Sequence, residues 1–138
     1  MPRRVRVMLI DDHPVVRAGV AALLEASEVA TLVAVCADPA DAVERAAVTR
    51  PDVILLDFML QGADGFDVAR QLAEREVKSR LVMFTGHDHG LVLAKSALGE
   101  GFAGYLSKDS APADLEACVT TVAAGGYWMN GPAESVAL

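Results

Sequence analysis

The sequence predicts an α/β fold: a doubly wound, parallel five-stranded sheet in the order 2-1-3-4-5, with helices on both faces. Three observations carry this. Short apolar runs recur about every 20 to 30 residues, the length of a strand, a helix and their loops. Helical periodicity fills the intervals between the runs. Two runs, Val53–Leu56 and Leu81–Phe84, are apolar throughout, as strands covered on both faces must be.

The elements follow in order. Strand one spans Arg6–Ile10 and runs into Asp11 and Asp12. Pro14 suits the first turn of helix one, whose inward face holds Val16, Val20, Leu23 and Leu24. On local grounds alone Asp12 reads as the cap of that helix. Strand two is Thr31–Cys36. Asp38-Pro39 opens helix two, and Pro51 follows its end. Strand three is Val53–Asp57. Asp64 or Gly65 opens helix three, with Phe66, Ala69, Leu72 and Ala73 inward. Strand four is Leu81–Thr85. Helix four is expected around Gly90–Leu98, where apolar residues cluster without a clean face. Strand five is Phe102–Leu106. Ser110 is expected to cap helix five, with Leu115, Cys118, Val119 and Val122 at helical spacing. Residues 1–125 read as one domain and residues 126–138 as a linker-like tail, where periodicity is lost and Gly131-Pro132 marks a loop.

Composition narrows the class. A chain of 138 residues holds one core, and 53% apolar content excludes a disordered chain. The apolar runs are too short to span a membrane. Arg3, Arg4 and Arg6 before Val7–Ile10 mimic a secretion signal, but Asp11 and Asp12 interrupt it too early. Twelve basic against 19 acidic residues give a net charge of −7, which argues against a broad basic face gripping a phosphate backbone. Cys36 and Cys118 lie in apolar surroundings without metal-ligand spacing, as reduced core thiols of a cytoplasmic protein do.

In open parallel sheets, ligands bind beyond the carboxyl ends of the strands. The polar residues sit there. Asp11 and Asp12 follow strand one, Asp57 ends strand three, Thr85 ends strand four and Lys108 lies just past strand five. In the order 2-1-3-4-5, strands one and three are neighbours and three carboxylates converge. Two carboxylates about 4 Å apart repel by about 4 kcal/mol, and Lys108 offsets only part of that. A divalent cation offsets more, and Mg²⁺ takes one or two carboxylates plus waters and phosphate oxygens. Beside such a cation Asp57 is a nucleophile, and Lys108 and Thr85 can neutralise the oxygens of an incoming phosphoryl group. Gly62 and Gly86 leave room nearby. His13 neighbours this site and reads as a helix-start residue. His87-Asp88-His89 reads as a loop, because two histidines at that spacing point to opposite sides of an extended chain.

LIDDHPVVRAGV, VILLDFMLQGADGFD, MFTGHD and GYLSKDSAPADLEACV together resemble the receiver domains of two-component response regulators. The likeness runs from about Val5 to Gly125 and implies the flavodoxin-like (βα)5 fold. It implies that Asp57 accepts phosphate from a phosphohistidine of a sensor histidine kinase. It implies that Asp12, Asp57 and the main-chain carbonyl of Met59 hold Mg²⁺, with Asp11 nearby or acting through water. Thr85 and Lys108 would contact the phosphoryl group, and Tyr105 would turn inward as Thr85 moves. The output surface would be helix four, strand five and helix five, and phosphorylation would favour a homodimer. DDHPVVRAG and VAAGGYWMN resemble the NarL/FixJ (LuxR-type) group, whose receivers precede a helix-turn-helix domain. No such domain follows Gly125 here, so DNA would be reached only through a domain this chain does not carry. The expectation is either a piece of a longer regulator or a regulator without an output module.

Three positions distinguish this chain within the family. The family's usual proline near Gln61 is missing, which leaves that loop looser. Met59 and His87 occupy positions that influence access of hydrolytic water, and Met59 predicts a slowly hydrolysed phosphoaspartate. The competing readings fit less well. A Mg²⁺-dependent phosphohydrolase with an aspartyl-phosphate intermediate carries a second Asp two after the nucleophile, where this chain has Met59. A flavodoxin-like cofactor binder needs a glycine- and hydroxyl-rich phosphate loop, where Asp11-Asp12-His13-Pro14 has the wrong charge. A degenerate or stand-alone receiver would act as a protein-binding module, yet the acidic cluster, Thr85 and Lys108 are all present. The expected role is a switch rather than a turnover enzyme, with no membrane partner.

Overall fold

The computed structural model describes residues 3–60, 62–86 and 97–129 of the chain. In chain order the elements are β1 (Val5–Ile10), α1 (Pro14–Glu25), β2 (Ala30–Cys36), α2 (Pro39–Thr49), β3 (Val53–Leu56), β4 (Met59–Leu60), β5 (Ala63–Asp64), α3 (Gly65–Glu74), β6 (Arg80–Thr85), β7 (Gly104–Ser107), α4 (Pro112–Ala123) and β8 (Trp128–Met129). The main sheet has the order β2-β1-β3-β6-β7-β8, and every pairing in it is parallel. Its first five strands are the five predicted, in the predicted order. β8 is a sixth edge strand inside the segment expected to be linker-like. A two-residue strand is too short to show the alternation that would reveal it.

Strand alternation builds two apolar layers. Met8, Ile10, Ile54, Leu56, Met83 and Tyr105 pack with Ala42, Val43 and Ala46 of α2 and Val68 and Leu72 of α3. Val7, Leu9, Leu55, Val82 and Leu106 pack with Val20 and Leu24 of α1 and with Leu115, Cys118 and Val122 of α4. Cys36 and Cys118 are free and buried. Among the described residues no helix is long and apolar enough to cross a membrane.

Helix starts follow local chemistry, with corrections. Asp38 caps α2 by accepting the Asp41 amide at 2.9 Å, and Asp64 caps α3 by accepting the Asp67 amide at 2.9 Å. The cap position of α1 is His13, with Pro14 in the first turn, so Asp12 is not the cap. Ser110 does not cap α4 either. Pro112 takes the first helical position and holds the residue before it extended, so Ala111 is the cap at φ −66 and ψ 154. The Ser110 hydroxyl is buried without a hydrogen-bond partner among the described residues. On α3, Val68 is buried and Ala73 exposed, because Gly65, Val68, Ala69 and Leu72 form the stripe that meets the sheet. Strand five begins at Gly104 rather than Phe102, whose ring packs edge-on against Phe66 at 5.9 Å. The helix expected at Gly90–Leu98 lies outside the described residues except for residues 97–98, which are helical, and His87-Asp88-His89 and Gln61 lie outside them too.

Candidate functional site at the carboxyl edge of the sheet

Strand register gathers the acidic residues. Ile10 pairs with Leu56 across β1 and β3, so the next residues, Asp11 and Asp57, emerge side by side. The Asp57 amide donates to the Ile10 carbonyl at 2.9 Å and the Asp11 amide to the Cys36 carbonyl at 3.0 Å. β6 and β7 supply the rest: Thr85 pairs with Ser107, and the Lys108 amide donates to the Thr85 carbonyl at 2.9 Å. The sheet therefore brings Asp11, Asp12, Asp57, Thr85 and Lys108 to one mouth, as the sequence predicts.

The carboxylates there are withdrawn from water. Asp11 is 0% exposed, Asp57 1% and Thr85 2%. Lys108 Nζ lies 2.7 Å from Asp11 Oδ2 and 3.2 Å from Asp57 Oδ2, and 6.0 Å from the centre of the Phe84 ring. One ammonium thus faces both carboxylates. For Asp11 Oδ2 and Asp57 Oδ2 that ammonium is an ion-pair partner. The Met59 amide donates to Asp57 Oδ1 at 3.1 Å, and the Met59 side chain is 56% exposed beside it. One ammonium balances only part of the charge of two buried carboxylates, which is costly. The ligand atoms of Asp11, Asp12, His13 and Asp57 lie within 4.8 Å of one another. A compact cluster of carboxylate oxygens, two of its side chains buried, fits a divalent cation.

Sequence reasoning gives His13 only proximity to this cluster. In the fold its amide donates to Asp11 Oδ1 at 2.7 Å and its Nδ1 lies 2.9 Å from the same oxygen. Nδ1 is also 3.4 Å from Asp12 Oδ1, 3.4 Å from Asp57 Oδ2 and 3.3 Å from Lys108 Nζ. The turn that sets this half-exposed ring against Asp11 leaves no periodic signal in the sequence. Tyr105 is separate from the mouth: it is fully buried on β7, and its hydroxyl has no hydrogen-bond partner among the described residues. Burial pushes its phenol pKa up, and the charge of Asp109 adds to the effect.

Comparison with known proteins agrees with this geometry. The sequence model of the family described as response regulator receiver domain matches residues 7–120. A probable transcriptional regulatory protein NarL of Mycobacterium tuberculosis is 36% identical over 124 residues, which is 90% of this chain and 57% of that protein. The nitrate/nitrite response regulator protein NarL of Escherichia coli is 36% identical over 121 residues, 86% of this chain and 55% of its own length. The chain thus spans about half the length of these relatives. The signal receiver domain of the Mycobacterium tuberculosis NarL superposes with a TM-score of 0.81 at 36% identity, covering 90% of this chain and 99% of that one. A LuxR-family two-component response regulator from Aurantimonas sp. gives a TM-score of 0.86 at 32% identity, over 96% and 94% of the two chains. A parallel sheet in this order, an acidic mouth at its carboxyl edge and these likenesses converge: the chain belongs to the response regulator receiver domains, in their NarL/LuxR-type group.

Proposed function

We propose that Asp57 is the phosphoacceptor of this receiver and that a sensor histidine kinase is its donor. The observation that carries the reading is the Asp57 carboxylate itself. It is 1% exposed, and its Oδ2 faces the Lys108 ammonium at 3.2 Å. Such an oxygen is desolvated, oriented and ready to attack. In the transfer, a carboxylate oxygen of Asp57 forms a bond to phosphorus as the phosphorus–nitrogen bond of phosphohistidine breaks. The departing imidazole leaves with the electron pair. Lys108 follows the negative charge onto the phosphoryl oxygens, and the Thr85 hydroxyl donates to another. Asp12, Asp57 and the Met59 carbonyl would hold Mg²⁺, with Asp11 nearby or bridged by water. When bound, Mg²⁺ supplies the positive charge that three converging carboxylates and a phosphoryl group require.

Asp57 is consumed and regenerated, so the protein acts as a switch and not as a turnover enzyme. Phosphorylation biases an existing two-state equilibrium toward the form with Thr85 and Tyr105 inward. Both side chains are buried in this structure. Strand β7, helix α4 and the segment before them form the output surface. It favours a homodimer and acts on transcription through a DNA-binding domain of a longer, cytoplasmic regulator, with the phosphoacceptor domain running through β8 at Trp128–Met129 and the linker starting after it. The test is incubation with acetyl phosphate and Mg²⁺ followed by intact-mass analysis. The wild type gains one phosphoryl group and Asp57→Ala gains none; equal labelling of the variant defeats the assignment.

A further inference from the structure

We infer that the cleft at the amino edge of the sheet is a second ligand site, one that takes a small molecule bearing a polyphosphate group. The cleft lies at the end of the fold opposite Asp57: Asp52 precedes the four residues of β3 and Asp57 follows them. Its volume is about 730 Å³, within the range of about 300–1,000 Å³ usual for small-molecule sites. The wall runs from Arg50 at the end of α2, past Asp52, to Arg75, Lys78 and Arg80 after α3.

Charge identifies the class of ligand. Arg50, Arg75, Lys78 and Arg80 line the cleft against Asp52 and Glu76, on a chain whose net charge is −7. Asp52 is already engaged: its Oδ1 accepts from Arg3 Nη2 at 2.9 Å and its Oδ2 from the Arg6 amide at 2.8 Å. Arg75 pairs with Glu44. Arg80 has no carboxylate partner among the described residues. It donates to the Gly126 carbonyl at 2.9 Å, and its guanidinium lies 5.3 Å from the centre of the Tyr127 ring. The side chains of Arg50 and Lys78 have no hydrogen bond or ion pair among the described residues. With partners included, six basic groups stand against the three acidic ones, Asp52, Glu76 and Glu44. Three helices also end here, at Thr49, Glu74 and Ala123. Their partial negative charge, about half a unit each, offsets only about half of that surplus. A positive remainder in a concave wall of an acidic chain selects an anion of more than one charge.

Backbone strain marks the same wall. Arg50 at φ 50 and Glu76 at φ 58 are the non-glycine residues with positive φ among the described residues, and both line the cleft. Glycine is the unstrained occupant of such helix ends, and strain of this kind gathers at ligand clamps. The wall around them is tied down. Arg6 Nη1 donates to the Arg50 carbonyl at 2.7 Å, and the Ser79 hydroxyl donates to the Pro51 carbonyl at 2.5 Å. Phosphate suits this wall, because a guanidinium grips phosphate oxygens through paired hydrogen bonds and a lysine adds a point charge.

The test titrates the full chain by calorimetry with inorganic tripolyphosphate and with ATP, in metal-free buffer so that the acidic mouth recruits neither. The wild type should bind saturably. Arg50→Asn/Lys78→Gln removes two charge-assisted contacts and should weaken binding at least about tenfold; Asn tolerates the left-handed backbone at position 50. Arg45→Gln/Arg70→Gln removes the same charge outside the cleft and should leave affinity within about twofold. Thermal scans of both variants confirm that they are folded. Tighter binding of ATP than of tripolyphosphate, with the gain lost in Tyr127→Ala, supports the site and names a nucleotide whose base stacks on the 67% exposed ring. Equal affinities support the site and name a free polyphosphate. No saturable binding to the wild type at millimolar anion overturns the inference. So does equal weakening by the two double variants, which would leave only the general field of the chain. So does binding to duplex DNA that strengthens with duplex length while neither small anion saturates, which would make this face a contact for a nucleic acid backbone.

Discussion

Single residues divide by how they are placed. Asp11, Asp57, Thr85 and Lys108 are legible in the sequence because each follows or ends an apolar run. In a parallel sheet, run ends share an edge. The ring of His13 is not legible, because its aim depends on a turn hydrogen bond to Asp11. Met59 enters through the family resemblance rather than through pattern, and its 56% exposed thioether holds an attacking water less well than an amide or carboxylate would. The phosphoaspartate should persist for minutes or longer in Mg²⁺, and Met59→Asn should shorten its life several-fold when phosphate release is followed. Complete loss within seconds in the wild type would contradict this. Buried thiols set a second residue-level expectation. Burial pushes the Cys118 thiol from its ordinary 9.0 up to about 12, and burial raises Cys36 and Tyr105 in the same direction. The folded chain keeps protons that the unfolded chain releases. Stability is therefore complete below about pH 9 and declines above it, by up to about 1.4 kcal/mol per pH unit for Cys118 alone. Urea midpoints measured on both sides of that pH should fall, and Cys118→Ala should flatten the fall.

Elements are legible where local chemistry and pattern agree. Asp38 and Asp64 cap the helices they introduce, and the uniform apolar character of Val53–Leu56 announces a central strand. Ser110 misleads because Pro112 shifts the helix start by one residue, a constraint stronger than a preferred capping side chain. β8 is hidden for another reason. It forms because Gly104 lets a neighbouring backbone approach: a Cβ at Gly104 would lie 2.7 Å from the Trp128 carbonyl oxygen and 3.4 Å from Trp128 Cβ. That clash is against backbone, so it is relieved only if β8 moves away. Gly104→Ala should detach Trp128–Met129 from β7 and cost about 1–3 kcal/mol, the usual scale for overpacking. A shift of Trp128 fluorescence, with lower thermal stability, would report it; an unchanged spectrum would mean β8 does not depend on that glycine.

At the scale of the whole molecule, the carboxyl edge of the sheet holds like charges that the rest of the fold must keep together. Lys108 Nζ faces both buried carboxylates there, and His13 Nδ1 borders the same pair. A dication that binds the folded chain and not the unfolded one raises stability by about 2.7 kcal/mol at a hundredfold excess over its dissociation constant. Added Mg²⁺ should raise the melting temperature of the wild type and barely move that of Asp57→Ala, as calorimetric scans would show. The far edge of the sheet behaves differently. There the seam between β7 and β8 is two residues long, with Gly104 beside Trp128 and Tyr105 beside Met129. Any load pulling on the backbone after Met129 reaches the strand of Tyr105 before it reaches another part of the sheet. It arrives through a latch of two rungs, which peels under tension rather than holding rigid.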